Sequence, residues 1–491
     1  MTLNIESNLR TYIGFLKKTD LQYKDYQYDG VKWCLTNELR PEPSQGVRGG
    51  FIADEMGLGK TITMLGTLSA NPLPYTLIVV PPILIPQWQL QVIRTMHIEP
   101  LVYHGPIKKK ITLETLCKTN IVITSYGAIT MNRQQIEHKQ HTLLHQHSWD
   151  RIIFDESHHM RNSNTKLHYS AQLLNANIRW LVSGTPVQNS KQDFYSLCSL
   201  IKLTPSFYSD KDNLREIGKS FILKRTKKQV GILIPHLALN DTVIDWENPI
   251  EKNISKEIHA CLPFANIQTQ ESHFNSAKAP AIVHMIRAKQ SCITLQLLHK
   301  SIHNYTSSLS HSSKPMLTNS SKINHIITFI HERKNNQNGK IIFCNYKQEI
   351  DLFQQRLRLI GLSVAVIDGR VNKLQRNIIL SQPYDALILQ IQTGCEGLNL
   401  QEYYSEIYFV SPHWNPAVED QAIARCHRIG QTKSVNVFRF HMQPFDQHRD
   451  KDDKDDKDDK DDKDEQLPTL NIETYTNSLQ HNKRQITSSI L

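Results

Sequence analysis

Residues 53–61 read Ala53-Asp54-Glu55-Met56-Gly57-Leu58-Gly59-Lys60-Thr61. Closely spaced glycines let backbone N–H groups turn inward around phosphate oxygens, a following lysine reaches the β- and γ-phosphates, and a threonine hydroxyl at the start of the next helix can bind Mg²⁺. The stretch departs from the usual G-x-x-x-x-G-K-[ST] pattern at its first glycine, which is Asp54 here. Its flanks supply the context such a loop needs. Arg48-Gly49-Gly50-Phe51-Ile52-Ala53 reads as a short apolar strand, and Ile62 to Leu68 as the helix that follows. The stretch Asp54, Glu55, Met56, Gly57, Leu58, Gly59, Lys60 and Thr61 is therefore expected to hold the phosphates of a nucleoside triphosphate.

Working outward, short apolar strands alternate with helical stretches in two blocks. In the first, Leu77 to Val80, Ile121 to Thr124, Arg151 to Phe154 and Trp180 to Ser183 each end where polar or turn residues begin. The second block has Ile341 to Cys344, Ser363 to Ile367, Ala386 to Gln390, Ile407 to Val410 and Val435 to Phe438, with helices such as Lys347 to Ile360 between them. Continuous apolar strands of this kind belong to parallel sheets covered on both faces. The fold class expected is α/β, with two doubly wound parallel-sheet lobes. An extension covers 1–20, the first lobe 21–226, a helical insertion and linker 227–320, the second lobe 321–445, and a charged tail 446–491.

Composition fits that division. At 491 residues the chain is long enough for two or three full cores, and 39% apolar with 21% charged residues describes a globular protein. The longest apolar run, Leu77 to Pro86, contains three prolines and is far too short to span a membrane, and Met1 to Leu21 show no apolar core with a cleavage site. Eight scattered cysteines form no C-x-x-C pair, so zinc modules are not expected and a reducing compartment is. Formal charge is +10, but the run from Asp450 to Glu465 holds ten Asp, one Glu and five Lys, a net of −6, which leaves +16 on the remainder. A basic body suits a polyanionic partner such as nucleic acid. The Lys-Asp-Asp repeats bury no apolar surface and are expected to be disordered.

Four further stretches carry candidate chemistry. Asp155-Glu156 follows the strand Arg151 to Phe154, which puts both carboxylates at the carboxyl end of a parallel strand, where Asp155 would hold Mg²⁺ and Glu156 would polarise the attacking water. Ser183-Gly184-Thr185-Pro186-Val187-Gln188-Asn189 ends another strand with small hydroxyl and amide groups, and Ser183 and Thr185 are candidates for coupling nucleotide to nucleic acid. Gln421, Arg425 and Arg428 stand at i, i+4 and i+7, so a helix would place them on one face. Guanidinium groups on such a face can stabilise charge developing on a γ-phosphate. Gln392 to Gln401 follows the strand Ala386 to Gln390; its glycines, Gly394 among them, allow close backbone approach to a phosphate chain, and its amides and the Thr393 hydroxyl can bond phosphates or the partner lobe. Upstream, Gln27 can read adenine through its paired donor and acceptor groups.

In this order the motifs resemble one family, the Swi/Snf-type ATPases of helicase superfamily two. The resemblance runs from about Leu21 to Phe440 and rests on Asp54 to Thr61, Val80-Pro81-Pro82, Thr124-Ser125-Tyr126, Asp155-Glu156-Ser157-His158, Leu223-Lys224-Arg225-Thr226-Lys227, Trp414-Asn415-Pro416 and His427-Arg428-Ile429-Gly430-Gln431. It implies two RecA-like lobes, ATP and Mg²⁺ as cofactors, and translocation on double-stranded DNA that remodels protein–DNA complexes, nucleosomes or transcription machinery among them. By motif match, Gln27 would contact adenine, Lys60 and Thr61 the phosphates and metal, Asp155 and Glu156 the metal and water, and Arg425 and Arg428 the γ-phosphate. Trp414 would contribute to nucleic-acid coupling. Departures occur at Ser157, where a small Ala or Gly is usual, at His413, where Trp is common, and in the Gln392 to Gln401 loop. The stripped-down chain is also similar to the baculovirus global transactivator proteins, which implies a viral role in transcription and a nuclear location. Lys224 to Lys228 is too short and too bound up in its motif to serve as an address. Two other readings stay open: a helicase that separates DNA or RNA strands, and a non-catalytic transcription scaffold.

Overall fold

The computed structural model describes residues 5–138, 140–185, 190–262, 264, 281–298, 320–394, 397–445 and 470–490. The chain divides into two compact units, one of residues 1–233 with 483–491 and one of residues 234–482. No helix among the described residues is long and apolar enough to cross a membrane.

Unit 1 opens with two helices, α1 (Ile5–Lys18) and α2 (Asp25–Leu39). Strand β1 (Arg48–Ile52) then leads through the glycine loop into α3 (Lys60–Ala70), followed by β2 (Thr76–Val80) and α4 (Ile85–Met96). Strands β3 (Leu101–Tyr103), β4 (Ile121–Ser125), β5 (Ser148–Asp155), β6 (Asn175–Val182) and β7 (Ile222–Leu223) complete a sheet ordered β3-β4-β2-β5-β6-β1-β7. Every pairing in it is parallel. Successive strand residues point to opposite faces. Phe51, Leu77, Val79, Val122, Ile152, Phe154 and Leu181 enter one core, and Ile52, Ile78, Val80, Ile123, Ile153, Trp180 and Val182 the other. Both faces need helices, which is why these strands read as unbroken apolar runs.

A buried ion pair fixes α2 to this sheet. Arg151 on β5 donates through Nε to Glu38 Oε1 at 2.7 Å and through Nη2 to Glu38 Oε2, while the Trp180 and Asn71 side chains also donate to the same carboxylate. Four donors around one carboxylate answer the cost of burying its charge. The residues set down as an N-terminal extension are not peripheral. Leu9, Tyr12, Phe15 and Leu16 of α1 are buried in the core that also holds α3.

Unit 2 is built on β8 (Leu237–Ile244), β9 (Gly339–Cys344), β10 (Val364–Ile367), β11 (Ala386–Gln390), β12 (Tyr404–Phe409) and β13 (Val435–Met442), ordered β10-β11-β9-β12-β13-β8 and again all parallel. Two expectations change here. Residues 227–320 do contain helices, Pro249–Ala260 and Ala281–Ile293, but also β8, which pairs with β13 from Leu237 through Ile244 and forms the sheet's edge. As an edge strand it leaves Leu239 and Val243 exposed, so it lacks the apolar run of its neighbours. The assignment of 446–491 to a charged tail is likewise corrected at its end, where the helix Ile472–Ile490 forms. Asn471 caps it, accepting from the Glu473 and Thr474 N–H groups and donating to Met442 O at 2.7 Å. Glu473 pairs with Lys322 at 2.5 Å with both side chains buried, and Tyr475 stacks on Phe264 with centroids 3.8 Å apart. The Asp/Lys run itself lies outside the described residues.

Candidate functional site

At the carboxyl end of β1, Gly57 and Gly59 adopt positive φ, +93° and +80°, so the chain turns back and α3 begins at Lys60. Lys60 Nζ donates to Asp54 O at 2.9 Å, folding over the loop. A second strand of chain laces the loop's first half: Ala53 N donates to Leu223 O and Glu55 N to Arg225 O, while Glu55 pairs with Lys227 at 3.0 Å. The Asp54 carboxylate is held by Arg225, with Nε to Oδ1 at 3.0 Å and Nη2 to Oδ2 at 2.5 Å. Placed among the phosphate-loop residues by its position in the motif, Asp54 is committed to this ion pair. An acidic residue replaces the expected glycine because its role is to clamp the loop. Arg225 also donates to Tyr26 O, tying the loop to α2, from which Gln27 Nε2 donates to Leu58 O at 3.2 Å. A Cβ on Gly59 would lie 2.6 Å from that Gln27 nitrogen, which would have to shift, and the φ of +80° favours glycine there in any case.

Two strands over, β5 delivers Asp155. Its Oδ2 accepts from Trp88 Nε1 at 2.8 Å, its Oδ1 from the Glu156 N–H at 3.0 Å, and its backbone oxygen from the Tyr126 hydroxyl at 2.6 Å. Burial, and then the charge of Glu156, push the Asp155 carboxyl up to about 7, against the opposing pull of Trp88 and Lys60. Such a carboxylate is one that a divalent cation such as Mg²⁺ would stabilise. Glu156 has φ +52°, a left-handed conformation rare for a residue with a Cβ. The strained turn carries it out of the strand, and His158 Nδ1 lies 3.3 Å from its Oε2 and 3.3 Å from Ser183 Oγ. Ser183 in turn accepts from the Thr185 N–H at 3.2 Å. A Cβ on Gly184 would meet Met56 Cγ at 2.9 Å and Lys60 Nζ at 3.2 Å, so the loop after β6 lies directly on the phosphate loop.

Unit 1 thus brings Gln27, the stretch Asp54 to Thr61, Asp155, Glu156, Ser183 and Thr185 to the carboxyl ends of the strands of one sheet. Pro186 through Asn189 lie outside the described residues. Trp88 and Arg225 act here without having been singled out as site residues. A tryptophan in an amphipathic helix and an arginine in a basic pentapeptide carry no local sign of a buried carboxylate partner.

In unit 2 the expected helix face is not formed. The helix Pro416–Ile423 stops before either arginine, and Arg425 and Arg428 sit in tight turns closed by Arg425 N to Ala422 O, Cys426 N to Ile423 O and Gln431 N to Arg428 O. The reason is local: Gly430 has φ +95°, and Gln431 Nε2 reaches back to Tyr404 O at 3.0 Å and Cys426 O at 3.3 Å, pinning the chain in a non-helical path. Burial, and then the charge of Arg425, lower the Arg428 pKa, and Arg428 Nε is buried without a hydrogen-bond partner among the described residues. A guanidinium with an unpartnered nitrogen beside a second arginine fits an anionic ligand. Arg428 also donates to Asn399 Oδ1. Trp414 has Lys289 Nζ 5.3 Å from its ring centroid. Thr393 and Gly394 close the short helix Ile391–Gly394, and the next two residues lie outside the described set.

Comparison with known proteins adds to this geometry. The SNF2-related domain family matches residues 26–339, and the helicase conserved C-terminal domain matches residues 321–430. An uncharacterized ATP-dependent helicase of Mycoplasma pneumoniae is 27% identical over 441 residues, 85% of this chain and 39% of its own. A probable global transactivator of Orgyia pseudotsugata multicapsid polyhedrosis virus is 25% identical over 443 residues, 84% of this chain and 85% of its own. The ATP-dependent DNA helicase DDM1 of Arabidopsis thaliana is 27% identical over 473 residues, 85% of this chain and 58% of its own. The chain therefore spans well under two thirds of the bacterial and plant relatives, and most of the viral one.

Proposed function

Because the chain belongs to the SNF2-related family, we propose that it is a DNA-dependent ATPase that moves along duplex DNA and remodels protein–DNA complexes. The observation that carries this reading is the convergence of Lys60, Asp155 and Glu156 at the carboxyl ends of neighbouring strands of one sheet, with the Asp155 carboxyl raised toward neutrality where a metal would bind. On this reading Lys60 and the loop N–H groups hold the triphosphate, Gln27 faces the base, and Thr61 and Asp155 hold Mg²⁺. When bound, the metal neutralises charge on the β- and γ-phosphates. Glu156 takes the proton of the attacking water, with His158 orienting its carboxylate, and the arginines Arg425 and Arg428 supply positive charge to the γ-phosphate. Ser183 and Thr185, joined to Glu156 through His158, link nucleotide state to nucleic acid, together with Thr393, Gly394 and Trp414.

DNA as the track is favoured by the DNA helicase relative and by the +10 formal charge, and a setting in transcription, hence the nucleus, by the viral transactivator relative. Contacts that go mainly to phosphates make binding salt-sensitive and weakly sequence-specific.

The deciding experiment is ATP turnover measured in parallel with no nucleic acid, duplex DNA, single-stranded DNA, RNA and nucleosomes. Turnover should rise with duplex DNA and nucleosomes. A rate indifferent to duplex DNA overturns the proposal. Triplex displacement without unwinding of a fluorescent duplex separates translocation from strand separation. Replacing Glu156 with Gln should leave ATP binding intact and abolish turnover, and an unchanged cellular effect in that variant would favour a scaffold.

A further inference from the structure

The segment from His413 to Arg428 carries Trp414, Arg425 and Arg428, and it is held from outside by a residue that belongs to none of the motifs. Gln480, nearly buried on the helix Ile472–Ile490, donates through Nε2 to His413 O at 2.5 Å and to Glu419 Oε1 at 2.8 Å. Glu419 is fully buried and also accepts from the His413 N–H at 2.8 Å and from Arg439 Nε at 3.2 Å. One amide nitrogen therefore closes a ring of hydrogen bonds across both ends of the turn 413–419. The Asn415 side chain, inside that ring, caps the helix Pro416–Ile423 by accepting from the Ala417 N–H at 3.1 Å.

The helix that supplies Gln480 is itself fixed by the Asn471 cap, the buried Lys322–Glu473 pair, and Glu473 Oε2 accepting from Met442 N at 2.8 Å. A rigid support thus reaches the turn from one side, and the short helix Pro416–Ile423 passes its orientation on to the turns that present Arg425 and Arg428. Groups meant to meet developing charge lose most of their effect when displaced by a fraction of a hydrogen-bond length.

We propose that Gln480 is a positioning residue for nucleotide turnover, setting the direction of the His413–Arg428 segment through its paired hydrogen bonds to His413 and Glu419. The functional half of this inference rests on the ATPase reading above. The structural half stands without it.

Gln480→Met in the full-length protein tests both halves. Methionine keeps the length and packing of the side chain and removes the two donated hydrogen bonds. DNA-stimulated kcat for ATP should fall about tenfold or more with KM unchanged, because ground-state nucleotide contacts lie on unit 1 residues. In parallel, amide hydrogen exchange in peptides covering 413–428 should rise while peptides from β9 and β12 keep their protection. A kcat within twofold of the unaltered protein, or a KM rise with kcat unchanged, overturns the catalytic role. Unchanged exchange across 413–428 overturns the positioning role, whatever the turnover shows. If the unaltered protein fails to hydrolyse ATP, the ATPase reading and with it the catalytic role are wrong, and the exchange result alone decides whether Gln480 holds the segment.

Discussion

Asp54 shows what one side chain can do to hold a glycine-rich loop in place. Its carboxylate is 1% exposed and paired at two oxygens with Arg225, which also holds Tyr26 O and so the helix that carries Gln27. Arg225→Leu would leave that charge buried and unpaired, a change worth about 3–5 kcal/mol. The expected outcome is a lower chemical-denaturation midpoint together with weaker ATP binding. Arg225→Lys should recover only part of both, because a single ammonium cannot match the forked contact. A stable variant with unchanged ATP affinity would show the clamp to be irrelevant. Lys60, Asp155 and Glu156 were legible in the sequence because each sits in a stretch whose neighbours share its chemistry. Arg225 and Trp88 were not, since their carboxylate partners lie 171 and 67 positions away along the chain. Glu349 in unit 2 was equally hidden. It accepts from the Asn345 and Tyr346 N–H groups, and burial pushes its carboxyl from 4.5 up to about 7. A carboxyl whose folded pKa exceeds its unfolded value binds its proton more tightly when folded. Its destabilising charge is therefore absent below about 4.5 and complete above about 7, and stability falls as pH rises through that window. Glu349→Gln keeps an acceptor for the two N–H groups and removes the charge. Its urea midpoint should match the unaltered protein near pH 4.5 and exceed it at pH 8, and equal midpoints at both would refute the assignment.

At the level of elements, strands buried on both faces could be placed from their apolar runs, whereas pieces that meet solvent or a polar partner could not. β8 is half-buried or exposed at every position before Ile244 because it closes one edge, and its pairing with β13 joins residues nearly two hundred positions apart. The helix Pro416–Ile423 ends just before the turns that Gln431 pins by reaching back to Cys426 O and Tyr404 O, side-chain hydrogen bonds that periodicity at i, i+4 and i+7 cannot reveal. The C-terminal helix was missed because a strongly charged run precedes it and its docking surface is polar: Asn471, Glu473, Thr476 and Gln480 are all buried. That polarity makes its attachment testable. Lys322 is fully buried against Glu473 at 2.5 Å, and Glu473→Leu would strand the ammonium, costing about 3–5 kcal/mol. Unit 2 should then unfold at lower denaturant, and the peptide covering 471–480 should lose its protection from amide exchange. Replacing both partners, Lys322→Met with Glu473→Leu, should restore much of that stability, since buried pairs and apolar pairs of similar volume are close in free energy. Failure of the double variant to recover would mean that the Glu473 bond to Met442 N, rather than the ion pair, holds the helix.

For the whole molecule, the sequence divided the chain into two α/β lobes because two separate series of apolar strands are visible, and each proved to have its own sheet with a core on either face. Unit 2 begins at residue 234, and the strand that opens it is the most exposed of its sheet. Charge is the other property that belongs to the whole chain. Ten Asp and one Glu against five Lys between Asp450 and Glu465 lower a +16 remainder to +10. The described residues on either side of this run lie together, since Phe445 and Asn471 are buried in unit 2 and Asn471 Nδ2 meets Met442 O at 2.7 Å, so a shortened connection between them can still be made. An internal deletion of residues 450–465 should therefore leave the unfolding transition unchanged while raising net charge by six. If the run acts through the molecule's field, duplex-DNA affinity should rise most at about 10 mM salt, where charges are felt across roughly 30 Å, and converge with the unaltered protein near 1 M, where the range is roughly 3 Å. The slope of log affinity against log salt should also steepen. An affinity gain that persists at high salt would point instead to direct occlusion of the DNA-binding surface, and no gain at low salt would mean that the run's charge does not act on DNA binding at all.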